Sequence, residues 1–252
     1  MKIRLMIILM LSPLFLFSQG EWNQWRFGTY AGLDFNYSPP IPVLGSAMLS
    51  SEATVSVADS LGNLLFYSDG ISVWNKNNQV MPNGSGLYSF ASTNFQKVYS
   101  VKSLSSGNIY YLFYLGQYNT FPFPQGLYYC IIDMQLNGGL GDVVSGMKNI
   151  PVPGGNGVAN WLSGTRHKNN KDAWVIVRNI IPNEYLAYQV TSLGISSTPI
   201  ISPSSLYTTA NPPTSNFGGA IKLSQDGKKL VCTYMNDTIS EFCNFDNETG
   251  TI

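Results

Sequence analysis

A chain of 252 residues is long enough for one large all-β domain or two smaller ones, and its 44% hydrophobic and 13% aromatic content can fill a sizeable core. Charged residues make up only 11%, under half of the roughly 25% of an average soluble protein, and the formal net charge is zero. That balance excludes the basic footprint of a nucleic-acid binder, while 15 Tyr, 24 Gly and 14 Pro fit a protein of strands and turns.

The first predicted element lies outside the fold. Lys2 and Arg4 make a basic start, Leu5 to Phe17 is an apolar run, and small Ser18 follows. This pattern is a secretory signal peptide over residues 1–18, cleaved after Ser18, which sends the mature chain to the extracellular space or cell surface. A membrane span needs about 20 apolar residues. This run is shorter and contains Ser12 and Pro13, so an uncleaved anchor helix is the weaker alternative. Loss of Lys2 and Arg4 leaves 12 basic and 14 acidic side chains, a mildly acidic mature chain.

Residues 19–252 repeat one pattern. "DSLGNLLFYSDGISVWN" (Asp59 to Asn75) packs a polar turn, an aromatic strand, a second turn and a short strand into one stretch. "SVKSLSSGNIYYLFYL" (Ser100 to Leu115), "SGTRHKNNKDAWVIVRN" (Ser163 to Asn179) and "GGAIKLSQDGKKLVCTYMND" (Gly218 to Asp237) carry the same hairpin. Their turns fall near residues 62, 107, 171 and 227, at intervals of 45, 64 and 56. A third strand follows each time: "ISVWN", "LYYCIIDM", "EYLAYQVT" and "TISEFCNFD". Glycine-containing breaks come next, with a fourth strand in the second and third copies.

Four strands per repeat at this period predict the blades of a β-propeller, WD40-like in construction. The runs "IYYLFYL" and "AWVIVRN" are nearly continuous in apolar residues. A strand covered on both faces need not alternate, and a blade between two blades is covered on both. A β-sandwich with long loops is the alternative, but its strands come every 8–12 residues with clean alternation. The expected fold is therefore all-β, an incomplete ring of about four blades. The fourth repeat breaks off at "NETGTI", so the last blade is expected to expose Leu230, Tyr234, Phe242 and Phe245 on an uncovered face.

Four stretches carry a family likeness: "QWRFGTYAGLDFN" (Gln24 to Asn36), "GNLLFYSDGISVWNKNNQVMPNG" (Gly62 to Gly84), "LNGGLGDVV" (Leu136 to Val144) and "LSQDGKKL" (Leu223 to Leu230). The mature chain resembles the N-terminal propeller-like regions of type IX secretion proteins, the gliding-motility-associated or type B sorting-domain group. The resemblance implies a propeller module, and downstream blades, immunoglobulin-like domains and a sorting domain as partners within a longer protein. It carries no catalytic residues over, and it implies a structural position for His167. It also implies O-glycosylation at Asp-Ser/Thr-aliphatic sequences, here Ser60 and Thr238. Native protein showing no excess mass on those two peptides would remove that idea.

Signals for chemistry are sparse. The single histidine, His167, cannot build a multi-histidine metal site, and no Gly-x-Ser-x-Gly elbow accompanies it. Asp34, Asp59, Asp69, Asp133, Asp142, Asp172, Asp226, Asp237 and Asp246 all fall at turns or strand ends, where aspartate bonds local amides. "VPGGNG" (Val152 to Gly157) is glycine-rich, but no helix follows to cradle phosphate. Cys130, Cys232 and Cys243 fit no metal spacing and read as buried thiols. Cys232 and Cys243 face each other if the turn is Asp237-Thr238, and are offset diagonally if it is Asn236-Asp237. No cofactor or metal is expected.

The strongest binding signal is the loop "GQYNTFPFPQG" (Gly116 to Gly126). Tyr118, Phe121 and Phe123 stand there among turn formers, on a loop inserted between two strands. Loops on rigid scaffolds often bind. The expected function is a non-catalytic module for surface display, adhesion or contact with a protein or glycan. The alternative is a glycan- or peptide-acting enzyme with carboxylates or His167 gathered at the propeller's central channel.

Overall fold

The computed structural model describes residues 20–89, 96–103, 105–116, 125–179, 182–204, 219–234 and 239–252. The described chain is all-β, arranged as five small antiparallel sheets that follow one another in sequence. The first holds β1 (Gln24–Phe27), β2 (Thr29–Asp34) and β3 (Ile41–Leu49). The second holds β4 (Val55–Ala58), β5 (Leu64–Ser68) and β6 (Val73–Asn75). In the third, β7 (Val98–Lys102), β8 (Ile109–Gly116) and β9 (Gly126–Asp133) are followed by β10 (Asp142–Val143) and β11 (Ile150–Asn156), which both pair with β9. The fourth repeats this plan with β12 (Val158–Arg166), β13 (Ala173–Asn179), β14 (Glu184–Thr191), β15 (Gly194–Ile195) and β16 (Ile200–Pro203), the last two both on β14. The fifth holds β17 (Gly219–Leu223), β18 (Lys229–Tyr234) and β19 (Ser240–Asn244).

All four expected hairpins are present, and so are the third strands. The fourth-strand position is filled in the third and fourth sheets by two short pieces rather than one. Turn chemistry explains the hairpins. In the β4–β5 turn, Asp59 Oδ1 accepts from the Leu61 and Asn63 amides, and Gly62 sits at φ +86°. A side chain there would be strained and would also meet the Asn36 amide group. The β17–β18 turn is built alike, with Ser224 and Asp226 holding the Lys228 amide and Gly227 at φ +66°.

Successive sheets stack face to face, and each junction has its own apolar core. Met48 meets Leu64, Tyr67 and Trp74 between the first and second sheets. Phe66 and Val73 meet Tyr110, Leu112, Tyr114 and Cys130 between the second and third. Phe113 and Leu115 meet Val175 and Val177 between the third and fourth. Trp161, Trp174 and Ile176 meet Ile221, Leu230 and Cys232 between the fourth and fifth. The apolar run of β8 now has its reason: Tyr110, Leu112 and Tyr114 face one neighbour while Phe113 and Leu115 face the other. Each large side chain so buried contributes about 1.5–3 kcal/mol.

The first strands of the five sheets, β1, β4, β7, β12 and β17, lie side by side in that order. Ser56 Oγ accepts from the Arg26 amide between β1 and β4 at 2.7 Å. At the β12–β17 contact the packing excludes any side chain at Gly219, whose Cβ would collide with the Thr233 carbonyl and the Trp161 indole. Among the described residues the sheets form no closed barrel and no closed propeller ring.

Two expectations need correction. The pattern predicted four repeats, but Gln24–Leu49 forms a further sheet ahead of them. The predicted exposure at the end of the chain is also misplaced. Leu230, Tyr234 and Phe245 are buried against the fourth sheet, and only Phe242 is exposed, at 82%. Side chains alternate along a strand, so Leu230, Cys232 and Tyr234 share the inner face while Val231, paired with Phe242, takes the outer one.

Candidate functional site

Tyr118, Phe121 and Phe123 lie outside the described residues, as does Thr238. The strands that launch their loop are described: Gly116 pairs with Gly126 at the ends of β8 and β9, and Gln125 Nε2 donates to the Val158 carbonyl at 2.8 Å. The Leu115 amide donates to the Lys97 carbonyl, so the loop leaves the sheet at the end where β7 begins.

That same end carries a buried polar group which the sequence did not single out. Lys97 is buried at the start of β7, and burial holds its ammonium below the usual lysine range against the opposing pull of Asp69 and Glu52. Asp69 is itself buried, with Oδ1 accepting from the Ile71 and Ser72 amides. Glu52 Oε2 is buried with no hydrogen-bond partner among the described residues. Lys97, Asp69 and Glu52 thus share one electrostatic neighbourhood. Nothing in the local sequence marks it, because Glu52 and Lys97 are 45 positions apart and sit in ordinary loop and strand context.

The opposite end of the first two sheets forms an open polar cleft of about 710 Å³, lined by Gln24, Asp34, Tyr37, Asp59, Asn63 and Lys76 among others. Much of its polar surface is already committed. Gln24 Nε2 and Asn36 Nδ2 both donate to the Gly62 carbonyl, and Asn63 Nδ2 donates to Asp59. Partial burial works against the Asp59 carboxylate, yet its bonds from Asn63 and Leu61 hold it below the ordinary range. Ser60 is exposed in this turn.

The remaining candidates are held in hydrogen bonds at turns and strand ends. His167 lies in the β12–β13 turn, where Nδ1 accepts from the Asn169 amide at 3.0 Å and the ring stacks on Trp174. Asp133, Asp226 and Asp246 each accept from an amide two residues on, and Asp172 binds Asn169 and Gln189. Asp142 reaches further and ties Asn83 of the second sheet's trailing loop to β10. Asp34, at the end of β2, accepts from the Asn36 amide, and Asp237 lies outside the described residues. Among the described residues no group of three His, Cys, Asp or Glu is placed to hold a metal ion.

The cysteines are free. Cys232 pairs with Glu241 and Cys243 with Leu230, so the two thiols are offset diagonally, while the turn residues themselves lie outside the described residues. Burial pushes the Cys130 thiol up to about 12 and the Cys243 thiol up to about 11, and raises Cys232 as well. The reactive species is the thiolate. A disulfide reagent at pH 8 should therefore modify none of the three rapidly in the native protein and all three in denaturant. Fast native labelling of even one thiol would contradict this packing.

A further buried polar cluster lies between the fourth and fifth sheets. Arg178 is 0% exposed, with its guanidinium 4.9 Å from the Tyr185 ring centroid, 4.8 Å from Tyr234 and 5.9 Å from Trp161. Its Nη1 donates to Tyr185 Oη and to Glu241 Oε2, and its Nη2 to Asn183 Oδ1. Tyr185 and Ser204 also donate to Glu241. This group joins two sheets and is sealed from solvent, so it serves the stack.

A scan of family models, a search of curated proteins and a search of solved structures each find no match to this chain.

Proposed function

We propose that this chain is a non-catalytic exported module, an arc of β-propeller blades used for surface display, adhesion or binding of a protein or glycan. Blades are four-stranded antiparallel sheets set around a common channel. Five sheets stacked in chain order with their first strands adjacent support that reading. So do the signal-peptide pattern and the resemblance to propeller-like regions of type IX secretion proteins. The observation that carries the non-catalytic part is the fate of the turn carboxylates. Asp59, Asp133, Asp226 and Asp246 spend oxygens on local amides and hold hairpins.

A second reading, a glycan- or peptide-acting enzyme, draws on the buried Lys97 and Asp69 and the half-buried Glu52 near the start of β7. One experiment separates the two: a panel of polysaccharides and peptides assayed for both binding and hydrolysis. Binding without turnover is the expected outcome. Joint replacement of Tyr118, Phe121 and Phe123 by Ala should weaken it at least about tenfold, the equivalent of 1.4 kcal/mol. Turnover that disappears in Lys97→Met would overturn the first reading in favour of the second.

A further inference from the structure

Among the described residues the first and fifth sheets each leave one face uncovered, and the two faces differ in chemistry. On the first sheet the register sets Trp25 opposite Leu33 and Pro42, and Phe27 opposite Ala31 and Leu44. Thr29 opposite Leu49 extends the same face. Trp22 adjoins it, since the Trp25 indole donates to the Trp22 carbonyl at 2.9 Å, and the Phe35 ring lies 4.8 Å from that of Trp25. Leu44 is 85% exposed, Trp22 69%, Leu49 64% and Trp25 49%. None of these positions carries a charge. On the fifth sheet the outer face sets Lys222 and Lys229 with Ser240 and Asn244 around Phe242.

We propose that the open face of the first sheet seats the same face of a second copy of this chain, in a two-fold symmetric, sheet-on-sheet dimer. Charge decides against the other end as partner, because stacking the fifth sheet there would bury Lys222 and Lys229 against an uncharged surface. Shape favours self-association. Ala31 lies between Phe27 and Leu44, so a two-fold axis sets each projecting Leu44 over the other copy's Ala31, and the contact closes at two subunits. The exposed side chains offer on the order of 700 Å² a side, close to the roughly 800 Å² of a standard stable interface. The mode continues the one seen at the four sheet junctions among the described residues, two inner faces packed about 10 Å apart.

Sedimentation of the purified chain in reducing buffer, over a wide range of concentration, tests the proposal. A monomer–dimer equilibrium is expected. Leu44→Lys, at a site too exposed to disturb the core, should weaken dimerisation at least about 100-fold by placing two unpaired charges in the contact. Phe242→Lys should leave it unchanged. A monomer at every concentration, open-ended association, or a dimer that survives Leu44→Lys or is lost in Phe242→Lys would each overturn it.

Discussion

Replacing Arg178 with Ala should destabilise the protein by about 3–5 kcal/mol, as unequal removal of one member of a buried ion pair does. The loss has three sources. Glu241, 63 positions away on β19 in a site 6% exposed, loses its cationic partner at 3.3 Å. Tyr185, Tyr234 and Trp161 lose the guanidinium around which their rings are arranged. Asn183 loses a donor. The damage falls on the junction between the fourth and fifth sheets, so β17–β19 should show the greatest gain in amide exchange. Removing both charges, as in Arg178→Met with Glu241→Gln, should recover part of the loss, because no unpaired ion is left behind. Urea melts of the three proteins decide the matter. A single-variant loss under about 1 kcal/mol would mean that the pair is solvated and does not join the sheets.

How far the sequence foretold this arrangement depends on the range of the interaction concerned. Hairpins were legible because their turns are local. "DSLGN" and "SQDGK" close through bonds within the turn itself, made by Asp59, Ser224 and Asp226, with Gly62 and Gly227 in the left-handed region. Two-sided burial was legible too, because Tyr110 to Leu115 leaves no polar face to show to water. The first sheet escaped notice as a repeat because its hairpin lacks such a turn. It closes through Gly28 at φ +59° and Tyr30 at φ +56°, and tyrosine in the left-handed region is no recognised turn signal. Its third strand is further disguised by Pro42, tolerated because β3 is an edge, and by Gly45.

Misplacement of the exposed patch has a different cause. Leu230, Tyr234 and Phe242 are equally apolar as letters, and only pairing register assigns two of them inward and one outward. The Arg178–Glu241 pair and the group around Lys97 join residues from separate sheets, so no window of sequence contains them. Arg178 in "AWVIVRN" reads as a polar strand end, yet it sits deep in the stack because the fifth sheet covers it.

The same crowding of tyrosine into sheet junctions makes the protein alkali-labile, and cooperative unfolding by about pH 11 is expected. Burial raises the phenol of Tyr110 to about 12 and pushes those of Tyr114, Tyr185, Tyr188 and Tyr234 higher still. Cys130 behaves likewise, at about 12. In the unfolded chain these groups ionise near pH 10 for tyrosine and 8.5 for cysteine. The folded values lie above the unfolded ones, so the stabilisation is complete below the unfolded values and is lost as pH rises towards the folded ones. Above pH 10 the unfolded state binds fewer protons, and each buried phenol costs about 1.4 kcal/mol per pH unit. Five phenols and one thiol together reach roughly 10 kcal/mol by pH 11, within the 5–15 kcal/mol that stabilises a typical domain. Tyrosinate absorbance near 295 nm, followed with circular dichroism, should show the buried phenols ionising in one step together with loss of the sheet signal. A smooth titration of all tyrosines near pH 10 with the sheet signal intact at pH 12 would show that these rings are not buried as described.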